Sequence, residues 1–194
     1  MRKVVISEFV SLDGVMEDPG GAEGYVHGGW TFRYPDDEGM KFKLDEVFAA
    51  DAMLLGRVTY EGFAAAWPTM TDEVGFADKM NGMPKYVVST TLETAGWNNS
   101  SVISGNVGDE VRALKDQPGQ DILVAGSRTL AQTLLEEGLV DEYRLMVFPV
   151  VLGTGKRLFG ETSQPSAFTL VESKPLASGT VILTYQLAAA AAVE

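Results

Sequence analysis

Cysteine is absent from this chain, and histidine occurs once, at His27. The first absence excludes disulfides, thiolate catalysis and thiolate-bound metals. The second leaves no pair of imidazoles for a zinc site within one chain, and no metal site is expected. A Ser-His-Asp triad would have to recruit His27, whose flanks Gly24-Tyr25-Val26-His27-Gly28-Gly29-Trp30 read as a loop, and no Gly-x-Ser-x-Gly elbow occurs. No apolar run reaches the roughly 18 residues that a spanning helix needs. The N-terminal stretch meets an acid at Glu8 too early for a secretory core, so a cytoplasmic location is expected. Positive charge is scarce: 15 Lys and Arg face 27 Asp and Glu, a formal net charge of −12. Such a chain repels phosphate backbones and anionic bilayers, so neither nucleic acid nor membrane is an expected partner. A phosphorylated small molecule would need a local basic patch, which makes the positions of the few arginines informative.

What is present is an ordinary globular composition, 45% hydrophobic and 22% charged over 194 residues, enough for one domain with a full core. Apolar runs and turn signals predict strands over 3–10, 52–55, 85–89, 101–103 and 121–125. Helical patterns lie between and after them, over 38–50, 58–66, 71–80, 107–115 and 128–137. The first helix pattern includes Phe42, Asp45-Glu46 and Phe48-Ala49. A Gly-rich loop from Pro19 to Gly29 follows the first strand. The last part changes character: strands over 142–151, 167–172 and 180–187 have no long helix between them, and Ser178-Gly179 makes a hairpin turn. This order predicts a single α/β domain over 1–187, with a mostly parallel sheet and an antiparallel C-terminal hairpin. Residues 188–194 read as a low-complexity alanine tail.

Open α/β sheets bind ligands beyond the carboxyl ends of their parallel strands. Three junctions of that kind stand out. At Leu55-Gly56-Arg57-Val58-Thr59-Tyr60-Glu61 a strand turns through glycine into a helix, whose free N–H groups, with Arg57 and Thr59, suit a pyrophosphate. The same residues also suit a plain solvated helix start. At Val87-Val88-Ser89-Thr90-Thr91 three small hydroxyl residues leave a strand together, either toward a ribose phosphate or simply as a turn. At Leu123-Val124-Ala125-Gly126-Ser127-Arg128 a strand again passes through glycine into a helix, with no Gly-x-Gly-x-x-Gly fingerprint. The later stretch Gly153-Thr154-Gly155-Lys156-Arg157 is not a Walker loop, because Ser or Thr does not follow the lysine.

These pieces, with Ser11-Leu12-Asp13-Gly14, Gly138-Leu139-Val140-Asp141-Glu142 and Leu152-Gly153-x-Gly155, resemble the bacterial dihydrofolate-reductase-like family. The nearest branch is the reductase domain of the riboflavin-biosynthesis deaminase/reductase and its stand-alone relatives, and the likeness runs from about Lys3 to Leu187. The resemblance implies a mostly parallel eight-stranded sheet with helices on both faces, and a site for NADPH. Gly56, Arg57, Val58 and Thr59 would match the segment that grips the cofactor phosphates. Thr90 and Thr91 would match the adenosine end, and Gly126, Ser127 and Arg128 the second phosphate turn. Asp13 would meet the nicotinamide and substrate, as an orienting or proton-relaying group or as a simple turn residue. Gly153 and Gly155 would border the substrate pocket, with Tyr25 and Trp30 as its walls or as core aromatics.

One position departs from the pattern. By the resemblance, the acid that dihydrofolate reductases carry on their first long helix would fall at or near Met40, with Asp36, Asp37 and Glu38 close by but ahead of the expected helix body, which speaks against folate reduction. The expected activity is hydride transfer from NADPH to a small heterocyclic, pyrimidine- or pterin-like, or related substrate. The alternative is a nucleotide-binding or sensing protein that keeps the pocket without turnover. The late strands and exposed apolar residues are compatible with a homodimer, as relatives often form.

Overall fold

A computed structural model describes residues 1–162 and 165–188. The expected alanine tail therefore lies outside the described residues except for Ala188, whose N–H bonds to the carbonyl of Ala167. Five strands come first in the chain: β1 (Val4–Ser11), β2 (Ala50–Gly56), β3 (Lys85–Val88), β4 (Ser100–Ile103) and β5 (Asp121–Val124). Between and after them lie α1 (Asp37–Ala49), α2 (Arg57–Ala66), α3 (Phe76–Gly82), α4 (Val107–Asp116) and α5 (Arg128–Glu136). The chain then runs through β6 (Glu142–Phe148), β7 (Phe168–Pro175) and β8 (Val181–Leu187). All eight strands form one sheet in the order β4-β3-β2-β5-β1-β6-β8-β7. Pairing is parallel from β4 to β6, and β8 runs antiparallel to both β6 and β7.

Strand parity decides which helices cover which face. Val4, Ile6 and Val10 of β1 point with Ile122 and Val124 toward Val111 and Leu114 of α4 and Leu130 and Leu134 of α5. Val5, Met53, Leu55, Val87 and Leu123 point the other way, toward Val47 of α1, Tyr60 of α2 and Met80 of α3. Both faces of the central strands are thus buried, which is why β2 carries the wholly apolar run Ala52-Met53-Leu54-Leu55 rather than an alternating pattern.

Two boundaries and one helix face differ from the sequence expectation for local reasons. α3 starts at Phe76 rather than 71. The Asp72 carboxylate accepts from the N–H groups of Val74, Phe76 and Ala77 and holds the preceding residues in a loop. β6 stops at Phe148, where Val150 N–H turns back to the Phe148 carbonyl. In α1 the expected apolar face is partly inverted, since Phe48 is 45% exposed while Glu46 is buried. Glu46 is drawn inward by the Ser7 hydroxyl at 2.8 Å and by Lys43 at 2.8 Å.

Candidate functional site

The chain moves to one side of the sheet after β1 and to the other after β5, so the reversal falls at β2, β5 and β1. Leu54 pairs with Val124 and Gly56 with Val88, which brings the carboxyl ends of β2, β3 and β5 level. Above them opens a cleft of about 310 Å³. Gly56, Arg57 and Val58 enter it from the junction of β2 and α2, Ser127, Thr129 and Thr133 from α5 and the residue before it, and Ser89, Thr90 and Thr91 from the end of β3. Arg57 is the one charged side chain among the described residues of this lining. An acid-free wall with six hydroxyls and one guanidinium, on a molecule of net charge −12, suits an anion.

The helix ends sharpen that reading. The first N–H groups of a helix have no partner within it and are normally met by a side-chain cap. α1 is capped by Asp36, α4 by Asn106, and α3 by the Asp72 carboxylate. α2 and α5 have no side-chain cap, and both begin at this cleft. Their open amides and positive dipole ends converge on one volume, the arrangement a pyrophosphate requires.

Two glycines bring the helices together. A Cβ at Gly56 would collide with Ser127 Oγ, and one at Gly126 would lie 2.5 Å from Thr59 Oγ1. Gly126 also has φ +77°, and its peptide bond to Ser127 is cis. Thr59 and Gly126 therefore form the floor of the junction, while Gly56, Arg57, Val58, Thr90, Thr91 and Ser127 line the cleft itself. Ser89 organises the third wall: its hydroxyl accepts from the N–H groups of Thr91 and Leu92, leaving Thr90 and Thr91 exposed. Among the described residues Arg57 is held only by exposed Glu61, at 2.8 Å. Arg128 turns aside instead, with Nε donating to the Arg157 carbonyl at 2.9 Å.

The residues expected on the substrate side divide. Tyr25, Gly153 and Gly155 come together next to the end of β1. Tyr25 Oη donates to the Thr154 carbonyl at 2.7 Å, and a Cβ on Gly155 would meet Val15 and Tyr25. Trp30 does not join them and is a core residue, 0% exposed. Its indole N–H donates to the Glu17 carbonyl, and its ring packs edge-on against Phe148. Asp13 serves the loop: its oxygens accept from the Ser11 hydroxyl and from the N–H groups of Leu152 and Gly153. Those donors, the Ser11 hydroxyl foremost, hold its carboxyl at about 2. A group so firmly ionised has no proton to relay at neutral pH.

Sequence reasoning missed Thr129 and Thr133, which follow Ser127 along one face of α5. It also missed Glu8, whose neighbours lie far away in the chain. Glu8 is buried on β1, and its Oε1 accepts from the Gly126 N–H at 2.6 Å. Burial pushes its carboxyl up to about 7 against the pull of that N–H. A second hollow, of about 300 Å³, lies between α1 and the α2–α3 connection and is walled mainly by Met40, Leu44, Trp67, Met70, Val74 and Phe76. Met40 sits 65% exposed on this apolar hollow.

Sheet order, helix placement and the cleft at the strand ends define an α/β protein of the dihydrofolate-reductase-like class. The chain belongs to the RibD C-terminal domain family, whose model matches residues 2–182. It is 34% identical over 187 residues to YyaP of Bacillus subtilis (strain 168), an uncharacterized protein, covering 95% of this chain and 94% of that one. Among solved structures it resembles a protein provisionally assigned to riboflavin biosynthesis from Shewanella sp. PV-4. There the TM-score is 0.75 and the identity 20%, over 96% of this chain and 99% of the other. It also resembles dihydrofolate reductase from Enterococcus faecalis, solved with NADP(H), at TM-score 0.58 and 13% identity over 96% and 97% of the two chains. At these identities the structural likeness establishes the fold.

Proposed function

We propose that this protein is an NADPH-dependent reductase acting on a small heterocyclic, pyrimidine- or pterin-like, or related substrate. The observation that carries the proposal is the pair of uncapped helix N-termini, α2 and α5, opening onto one acid-free, hydroxyl-lined cleft. Membership of a family that takes its name from a riboflavin-biosynthesis protein, and a fold shared with a reductase solved with NADP(H), support it. In this reading the amides of α2 and α5 and the guanidinium of Arg57 hold the cofactor phosphates. Thr90 and Thr91 face the adenosine end. Bound NADPH supplies the hydride, and the protein orients it and excludes water. The loop that Asp13 ties to Leu152 and Gly153 borders the substrate, with Tyr25 beside it. Met40 in place of the helix acid argues against folate.

The test is to follow the nicotinamide absorbance of NADPH with the purified protein and a panel of pterins, pyrimidines and quinones. Oxidation that depends on one member of the panel is the expected result. Binding of NADPH without oxidation by any of them would favour a sensing protein that keeps the pocket, and absence of binding would end the cofactor assignment.

A further inference from the structure

Glu8 is a carboxyl group that the scheme above leaves unused. It stands on the central strand β1, 8% exposed, and no cationic nitrogen among the described residues lies within ion-pair distance of it. Its hydrogen bond is the one from the Gly126 N–H. That residue's carbonyl in turn accepts from the Gly56 N–H at 3.4 Å, and a Cβ on it would run into Thr59. Glu8 therefore lies directly beneath the junction from which both uncapped helices start. The charged and titratable groups around it do little to hold its charge. From α1, Lys43 and Glu46 act on it in opposite senses. From β6 comes Tyr143, 2% exposed, whose phenol burial and the Glu8 charge both push upward, so it stays neutral. At the starts of α2 and α5, Arg57 is paired with Glu61 and Arg128 with the Arg157 carbonyl.

A buried carboxylate without a counter-ion favours its neutral form, and the Gly126 amide only partly offsets this. A polyanion seated on the same helix ends adds like charge from above. Like charge placed beside a buried carboxylate makes its ionisation costlier still, and a carboxyl already displaced to about 7 is the one that yields.

We propose that Glu8 couples protonation to cofactor docking: its carboxylate takes up a proton from solvent as a phosphorylated dinucleotide seats on α2 and α5, and returns it when the dinucleotide leaves. The inference rests on the NADPH reading and adds to it a residue and a proton. No bond other than the carboxyl O–H forms or breaks, and solvent is both source and sink.

Calorimetric titration of NADPH into the full chain, in buffers of different ionisation enthalpy, measures the proton directly. At pH 8 the wild type is expected to take up roughly half to one proton, falling toward none by pH 6. Its affinity should weaken several-fold between pH 6.5 and 8.5. Glu8→Gln keeps an acceptor for the Gly126 N–H but has no proton to exchange. The cofactor's own 2′-phosphate titrates equally with both proteins, so their difference isolates Glu8. Carboxyl-detected NMR of the wild type provides a second measurement that does not depend on the variant folding: the midpoint of the one carboxyl displaced upward should rise further on adding NADPH. Equal proton uptake by both proteins, or an unmoved midpoint, overturns the inference while leaving the cofactor assignment standing. Failure of NADPH to bind at any pH removes both.

Discussion

Glu8 and Asp13 lie on and just beyond one strand, yet their surroundings drive their carboxyls in opposite directions. Asp13 is ringed by donors and held at about 2, so its contribution to stability is present above its ordinary range and is lost as pH falls toward 2. Glu8 is displaced from 4.5 to about 7 by burial. The unfolded chain then releases the Glu8 proton first as pH rises, so native stability declines between pH 4.5 and 7 and stays reduced above that. The penalty amounts to about 3 kcal/mol at alkaline pH. Glu8→Gln should accordingly melt above the wild type at pH 8, with the gap closing near pH 5 in parallel thermal melts. Arg57 makes the contrasting case of a residue that matters to the ligand and little to the fold. Its ion pair with Glu61 is exposed on both sides, a kind of contact that adds little stability. Arg57→Ala should leave the melting temperature of the free protein unchanged and raise the NADPH dissociation constant about tenfold, the loss of one charge-assisted contact. Fluorescence titration separates the two effects.

At the scale of elements, the helix N-termini sort into two kinds. α1, α3 and α4 have carboxylate or amide caps, whereas α2 and α5 leave their first amides to whatever occupies the cleft. Ser127 occupies the cap position of α5 but makes no side-chain cap bond. Asn106 at α4 does, its side-chain oxygen accepting a hydrogen bond from the Asp109 N–H. Asn106→Ala should therefore cost about 1 kcal/mol in denaturant unfolding. Ser127→Ala should cost nothing measurable in the free protein and should show its effect only as weaker NADPH binding. A stability loss from Ser127→Ala equal to that from Asn106→Ala would mean that α5 is not held open for a ligand.

For the whole molecule, the cleft is a neutral-to-positive pocket in a strongly acidic body, closed beneath by the core and joined from three strand ends. A ligand that bridges α2, α5 and the β3 turn clamps elements far apart in the chain and should stabilise the domain as a unit. NADPH at a hundredfold excess over its dissociation constant should add about 2.7 kcal/mol to unfolding, a rise in melting temperature of roughly 5–10 °C. Scanning fluorimetry with and without cofactor checks this, and a null shift at saturating NADPH would count against the site. Among the described residues no helix is long and apolar enough to cross a membrane.

The linear sequence by itself determined the strand-and-helix alternation, the antiparallel ending, the Gly56 and Gly126 junctions and the hydroxyl cluster at residues 89–91. All of these depend on local signals: apolar runs, glycine before a helix, and small polar residues at a strand end. Tertiary structure alone decided that the two glycine junctions share one cleft, that Trp30 belongs to the core, that Asp13 braces a loop, and that Glu46 points inward. It also decided the environment of Glu8, whose carboxylate accepts from an N–H 118 positions away. Burial and the sign of a pKa shift depend on neighbours brought close by the sheet order β2-β5-β1, and no local pattern encodes which distant strand will lie alongside.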